Sequence, residues 1–319
     1  MNQYRRWTAK ELNQIVDMRK DRRGWGEIAR VMHDSRENVR AAYRRLVGAK
    51  QGSYLDKEEL KPRNKPVVAV LDIETLPGLG YFWKIFDENI SIDMIEESPC
   101  MLSWAGKYLN ETHIQSDIMT PDEIVEGHRN TLRIARSIWE FLSQANAVTG
   151  HNFSGFDMKF INTEFLKHGL PPLKLIIIDT LSIYRKNFYS PSYKMKFINR
   201  ELGIKEKTDN EGFPLWKKCA HGEPAALKTM LEYNEGDVRS SEDLYYRIRP
   251  YIRNFNVALY NEITAPQCPV CGSEHLTSEG WYFTPAGKWE SLRCECGCLS
   301  RTKYNELDKA KKKALLVNS

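Results

Sequence analysis

The stretch VVAVLDIETLPG, residues 67–78, runs five apolar residues straight into two acids. A continuous Val/Ala/Leu run of this kind fits a strand covered on both faces, and Pro77-Gly78 ends it with turn chemistry. Residues two apart in a strand point to the same side, so Asp72 and Glu74 project together while Ile73 points the other way. Two carboxylates therefore share one small volume, and the rest of the chain must supply the reason.

Bulk properties narrow the classes. The 319 residues allow two or three domains, one of them with a sizeable core. No apolar stretch approaches the roughly 20 residues of a membrane helix. The N-terminus, MNQYRRWTAKEL, lacks an apolar secretory core, so no membrane partner and a cytoplasmic setting are expected, bacterial or that of a phage-infected host. The seven cysteines are then expected reduced or metal-bound rather than disulfide-linked. Residues 1–50 hold 13 Lys/Arg against 6 Asp/Glu, a charge of +7, while the remainder is close to neutral. A second basic run, KAKKKA at 309–314, reads as a solvated, disordered tail.

The basic segment reads as a compact helical unit over residues 1–52. Thr8 and Glu11 form a capping box, and Trp7 and Leu12 sit where a hydrophobic staple belongs, which predicts a helix from Ala9. A second helix follows Gly24, and a third begins after Asp34-Ser35, with Val39, Tyr43 and Leu46 on its apolar face. Arg36, Arg40 and Arg44 lie on the polar side of the third helix, the arrangement of a helix-turn-helix with a basic recognition helix. The pattern RWTAKEL…WGEIARVM…SRENVRAAYRRL resembles SANT/Myb-like helix-turn-helix domains, and the net charge points to nucleic acid. A small protein-interaction module is the alternative. Residues 53–65 have the polar composition of a linker.

Two further segments give the acids at 72 and 74 company. In AVTGHNFSGFDMKFINTEFLKHG a short strand leads through a polar loop to Asp157, which heads an amphipathic helix with Phe160, Ile161 and Phe165 inward. In MLEYNEGDVRSSEDLYYRIRPYI, Tyr233 and Asp237 stand four residues apart, on one side of a helix. DIET, HNFSGFDMKFI and YNEGDV together resemble the three motifs of DEDD-superfamily 3'-5' exonucleases in the branch with Tyr in the third motif. Over residues 66–255 the chain is similar to the proofreading domains of family B DNA polymerases.

The resemblance implies an α/β, ribonuclease H-like fold, a mixed sheet flanked by helices. It implies Asp72, Glu74, Asp157 and Asp237 as ligands of two catalytic Mg²⁺ or Mn²⁺ ions, with Tyr233 orienting the attacking water. Thr75, Leu76 and Asn152 would contact the 3'-terminal nucleotide. Electrostatics points the same way, since each carboxylate pair at ~4 Å costs on the order of 4 kcal/mol at an effective dielectric of 20. Oxygen-only ligands suit hard divalent cations. Asp179, ending the run LKLIIIDTL, reads as structural, and His151 as a strand-end histidine held by local hydrogen bonds.

The C-terminal part carries different chemistry. CPVCG at 268–272 and CECGC at 294–298 resemble the knuckles of a zinc ribbon over residues 264–303, followed by the tail at 304–319. Cys268 and Cys271 form one pair. In the second, Cys296 is followed by the knuckle residue Gly297, and either Cys294 or Cys298 completes the set, with Cys294 favoured. One structural Zn²⁺ is expected. The intervening aromatics, Trp281, Tyr282, Phe283 and Trp289, read as a short hairpin.

The expectation is a three-module, metal-dependent 3'-5' exonuclease whose polymer is DNA rather than RNA, of a compact build that suggests a phage or other mobile element. A structure-selective endonuclease or an RNA exonuclease on the same fold is the rival enzyme, and a non-catalytic DNA-binding regulator the rival of another class. Deleting residues 1–52 removes the basic unit and none of the acids, so hydrolysis of short oligonucleotides at saturation should persist. Affinity for long duplex DNA should fall, and its logarithmic salt slope should flatten by about 0.9 for each phosphate no longer engaged. Arg40→Ala with Arg44→Ala should reproduce part of this. Binding titrations at several salt concentrations check it, and identical slopes would assign the unit to a protein partner.

Overall fold

The structure, a computed structural model, describes residues 9–20, 23–40, 42, 65–87, 89–204 and 211–317. The chain divides into two compact units, Met1–Pro62 and Arg63–Ser319. In the first, α1 (Ala9–Lys20), α2 (Trp25–Val31) and α3 (residues 36–40) enclose a small core of Ile15, Met18, Ile28, Ala29, Met32, Val39 and Ala42. Ser35 opens α3 as its sequence position requires, its hydroxyl accepting from Asn38 N at 3.1 Å. Arg36 and Arg40 are exposed on α3, and the Arg40 guanidinium stands 5.7 Å from the Trp25 ring. Trp7, Thr8, Tyr43, Arg44 and Leu46, and the expected linker apart from Lys65, lie outside the described residues.

The second unit is built on five strands, β1 (Val68–Leu76), β4 (Cys100–Tyr108), β5 (Gln115–Ile118), β6 (Ala147–Gly150) and β7 (Ile176–Asp179). They form one mixed sheet ordered β5-β4-β1-β6-β7. β4 runs antiparallel to β1 and β5, whereas β1, β6 and β7 are mutually parallel. β1 is thus a central strand, and its first four residues are buried, as the continuous apolar run predicts.

Helices cover both faces. In α5 (Leu132–Ser143) the buried positions are Ile134, Ala135, Ile138, Phe141 and Leu142, the spacing of a core-facing stripe. Phe141 stacks on Tyr108 at 4.7 Å and meets Trp104 at 5.0 Å, which seats α5 on β4. α6 (Asp157–Lys167) buries Met158, Ile161 and Phe165 in the same cluster, with Phe160 only partly buried. α4 (Pro121–Ile124) leads into α5 through a capping box of Thr120 and Glu123. On the opposite face α10 (Pro224–Ile248) packs Val238 against Val70 and Ala105, and Tyr245 beside Val68 and Ala147. A largely buried ion pair, Lys107 Nζ to Glu242 Oε2 at 2.6 Å, ties β4 to α10. Helices α7 (Thr180–Asn187), α8 (Met195–Glu201) and α9 (Phe213–Ala220) complete the shell.

Between β1 and β4 the chain makes an excursion through β2 (Leu79–Gly80) and β3 (Ile95–Glu97) that exposes Tyr81, Phe82, Trp83, Ile85 and Phe86. Arg129 clamps its base, its guanidinium donating to Pro77 O and Ser98 O at 2.8 Å each. At the C-terminus β8 (Leu276–Thr284), β9 (Gly287–Cys294) and β10 (Leu299–Arg301) form a three-stranded sheet ordered β10-β9-β8. Val257 N donates to Pro269 O at 2.7 Å, fixing this sheet's leading loop to the segment after α10.

The basic tail departs from the expected disorder. Asp308 accepts from Lys311 N at 2.8 Å and caps α11 (Lys309–Ala314), which is exposed along its length. A single side-chain cap supplies an acceptor for one of the orphan amides and an acid at the positive helix end. Among the described residues no helix is long and apolar enough to cross a membrane.

Candidate active site and cysteine cluster

Asp72 and Glu74 lie on one face of β1, paired across to Ala105 and Ser103 of β4. A register shift comes directly after them, between Glu74 and Thr75. The partners step from Ser103 to Met101, so the extra residue is Leu102 on β4, and a bulge of this kind bends the pair locally. Leu76, expected to line a nucleotide, is wholly buried and joins Leu71 and Ile73 in the main core. Thr75 stays partly exposed.

Across from this face α10 delivers Asp237, buried to 4% exposure. One carboxylate oxygen each from Asp72, Glu74 and Asp237 lie within 4.8 Å of one another. Asp157 enters from the first turn of α6 and accepts from Ile73 N at 3.3 Å. On α6, Asp157 and Glu164 both occupy the buried stripe, and the contrast between them is informative. Glu164 is satisfied by protein, accepting from Thr131 Oγ1 and from Lys167 Nζ at 3.1 Å. Asp157 instead faces other acids. Burial first, and the charge of Asp72 second, hold its carboxyl well above the usual range.

Oxygens at opposite vertices of one Mg²⁺ are about 4.2 Å apart, from bonds of about 2.1 Å. The three oxygens, each within 4.8 Å of the others, lie close enough for hard divalent cations to join them, and the donor set is oxygen only.

A residue the sequence pattern did not single out organises this cluster. Asn234, fully buried on α10, donates through Nδ2 to Asp72 Oδ2 at 2.7 Å and accepts at Oδ1 from Ser103 Oγ at 3.4 Å. Ser103 is the cross-strand partner of Glu74. One amide therefore links β1, β4 and α10 at the acids. Its signal was present in YNEGDV, because Asn234 stands three residues before Asp237 and so shares its helix face. Tyr233 is one turn before Asp237, partly buried and edge-on to Trp216 of α9 at 6.4 Å.

The loop ahead of α6 is positioned by Asp179. Its carboxylate caps α7 by accepting from Leu181 N and Ser182 N, and also accepts from Asn152 N, Ser154 N and Ser154 Oγ. Asn152 takes a left-handed backbone, φ 62°, and its side chain is exposed. His151 bonds Thr180 Oγ1 and Tyr193 O at 3.0 and 2.9 Å, and burial lowers its pKa. Its two nitrogens are thereby occupied within the fold.

A second cluster brings together Cys268, Cys271, Cys294 and Cys296, all four sulfurs within 4.8 Å of one another. Sulfur pairs 268–296 and 271–294 are 3.7 and 3.5 Å apart. A disulfide would need about 2.05 Å, whereas tetrahedral Zn–S bonds of about 2.3 Å put sulfurs roughly 3.8 Å apart. The thiols fit zinc. Gly272 and Gly297 each follow a knuckle at φ 75° and 86°, with their N–H groups donating back to Cys268 O and Cys294 O. Only glycine adopts that turn without a Cβ penalty. Cys298 is the fifth thiol, buried and hydrogen-bonded to Cys268, whose pKa is pushed up to about 12 by that bond and by burial. Cys100 and Cys219 are free thiols raised chiefly by burial to about 11 and 12, and the Glu74 charge also acts on Cys219.

Residues 88–249, about half of the chain, match the RNase_H superfamily. That span includes Asp157, Tyr233 and Asp237 and begins after Asp72 and Glu74. Over 145 residues, 42% of this chain, the sequence is 34% identical to the DNA polymerase III PolC-type of Pediococcus pentosaceus. The chain spans only 10% of that polymerase's length. The solved family B DNA polymerase from the archaeon Pyrobaculum calidifontis aligns with 58% of this chain and 25% of its own at 16% identity, with a TM-score of 0.42.

The raised pKa of Asp157 has a measurable sign. Stability contributed by its neutral form is complete below an unfolded aspartate's ordinary value and is lost as pH rises through the folded one. In buffer without divalent cations at pH 7, Asp157→Asn should therefore melt at a higher temperature than the parent, an advantage that fades toward pH 4. Adding Mg²⁺ should raise the melting temperature of the parent more than that of the variant. Thermal melts over this pH range test both, and a variant no more stable than the parent at pH 7 would refute the burial of an unrelieved acid.

Proposed function

Because the chain belongs to the RNase_H superfamily, we propose that it is a metal-dependent nuclease that removes nucleotides from the 3' ends of DNA. The observation that carries this reading is the meeting of Asp72, Glu74 and Asp237 within 4.8 Å, with Asp157 buried against Asp72. Those four carboxylates would hold two Mg²⁺ or Mn²⁺ ions. Bound there, such ions lower the pKa of water and neutralise charge on the leaving oxygen of a phosphodiester.

The chain's own groups supply the rest. Asn234 steadies the Asp72 carboxylate by donating to Oδ2 at 2.7 Å. The Tyr233 hydroxyl orients the attacking water, one helical turn from Asp237. Thr75, partly exposed, and the exposed Asn152 amide would meet the terminal nucleotide. The basic first unit, with Arg36, Arg40 and Arg44, serves as a helix-turn-helix that holds duplex DNA by its phosphates. The cysteine cluster holds one structural zinc through Cys268, Cys271, Cys294 and Cys296.

Asp72→Asn or Asp237→Asn should abolish Mg²⁺-dependent hydrolysis while the protein still folds and binds DNA. Tyr233→Phe should lower turnover by about 10²-fold with little change in affinity. Matched single-stranded DNA, duplex DNA and RNA, each with a free and a blocked 3' end, form the decisive substrate panel. Cleavage of blocked ends would replace the exonuclease with an endonuclease. Full activity of a folded Asp72→Asn protein would end the metal-ion reading.

The zinc assignment is tested separately. Protein purified without chelator should contain one zinc per chain, and Cys268→Ser should lower that content and destabilise the C-terminal sheet. Elemental analysis without zinc would remove it.

A further inference from the structure

The C-terminal sheet carries a surface that neither four sulfurs nor a catalytic site requires. In the β8–β9 hairpin Trp281 pairs with Glu290, Tyr282 with Trp289 and Phe283 with Lys288. Alternation along the strand puts Trp281, Phe283, Lys288 and Glu290 on one face, and Tyr282 and Trp289 on the other. Each face carries a cation over its rings, and the two cations differ in kind. On the second face the Arg301 guanidinium lies 4.3 Å from Trp289 and 5.6 Å from Tyr282, a planar group closing over that pair. On the first face Lys288 Nζ lies 3.9 Å from the Trp281 ring and 5.9 Å from Phe283. An ammonium on a four-carbon stem is a mobile point charge that can leave a ring for a phosphate. Trp281 and Phe283 remain 46% and 65% exposed.

Two exposed rings with a lysine between them are costly to leave in water and match one class of ligand. Rings two residues apart on a strand are about 7 Å apart, room for a base between them or for one base on each. The surrounding charge is complementary to a polyanion. Residues 276–314 hold eight Lys/Arg against five Asp/Glu. Glu306 N donates to Lys288 O at 2.8 Å, so the chain entering the lysine-rich α11 starts beside Lys288. Glu290 shares this face and Glu306 and Asp308 follow on the chain beside it, and Lys288, Lys303 and the four lysines of α11 outnumber these three acids.

We infer that the Trp281–Phe283–Lys288 face of the C-terminal hairpin binds single-stranded nucleic acid, the rings stacking on unpaired bases and Lys288 taking a phosphate. This rests on the nuclease reading for its biological sense, but its chemistry is independent of the carboxylates. Base–aromatic stacking is tolerant of sequence and needs an unpaired base, so the face favours single strands over duplex.

The test uses the full chain carrying Asp237→Asn to prevent hydrolysis, with a labelled oligothymidylate as probe. Trp281→Ala with Phe283→Ala should weaken binding by about tenfold or more for each ring, and Trp281→Phe should retain most of it. Lys288→Ala should flatten the logarithmic salt slope by about 0.7. Binding of a duplex of equal length should not change. In the parent background and at saturating oligonucleotide the same variants should keep the parental turnover while KM rises, so loss of the nuclease reading would show in the turnover and not in the titration. Should the double variant not fold, the single Lys288→Ala substitution decides alone. Parental affinity and slope for the single strand in folded variants would overturn the inference and give the face to a protein partner, and equal loss on duplex would overturn it as well.

Discussion

Carboxylates that repel one another are brought together with two of them, Asp157 and Asp237, buried, and much of the second unit is arranged around keeping them there. Asp237 is 4% exposed and Asp157 5%. The apolar contacts that seat α10 on β1 and β4, and α6 on the opposite face, must outweigh that repulsion. The long α10 has eleven buried positions, enough to carry Asp237 into place. Where burial sets an acid against other acids, as at Asp157, the carboxyl moves toward its neutral form instead. Clustered charge of this kind is unfavourable by itself, and divalent cations would neutralise it.

Support around the acids is unequal in a way that separates roles. Asp72 receives a hydrogen bond from Asn234, and Asn234 is in turn held by Ser103. Glu164, an acid at an equivalent depth, is saturated by Thr131 and Lys167 and so belongs to the scaffold. Asp179 is likewise saturated, by backbone amides of two segments. It is therefore a fastener for the loop that carries Asn152, whereas Asp72, Glu74 and Asp237 converge on one another and share a space of ligand size.

The cysteine module shows the same logic with softer ligands. Its first strand is largely exposed, and apart from the sulfurs only Val270 and Leu276 contribute to its core cluster. Small modules with so little core draw stability from a metal. A sheet gathered at one end around a cysteine cluster leaves its aromatic side chains on the surface.

Periodicity and residue type alone determined the buried strand ending in Asp72 and Glu74, the amphipathic helices, the acid at the head of α6 and the paired cysteine knuckles. These are local properties, set by alternation in strands, the 3.6-residue repeat of helices and the turn preference of glycine. Only the tertiary structure decided that Asn234 reaches Asp72 across 162 positions of chain. It also decided that Leu76 is buried in the core although simple alternation from Glu74 would set it beside the acids. Each of these depends on which strands pair and where a register slips, and that is settled by packing between distant segments, a quantity no local window of sequence contains.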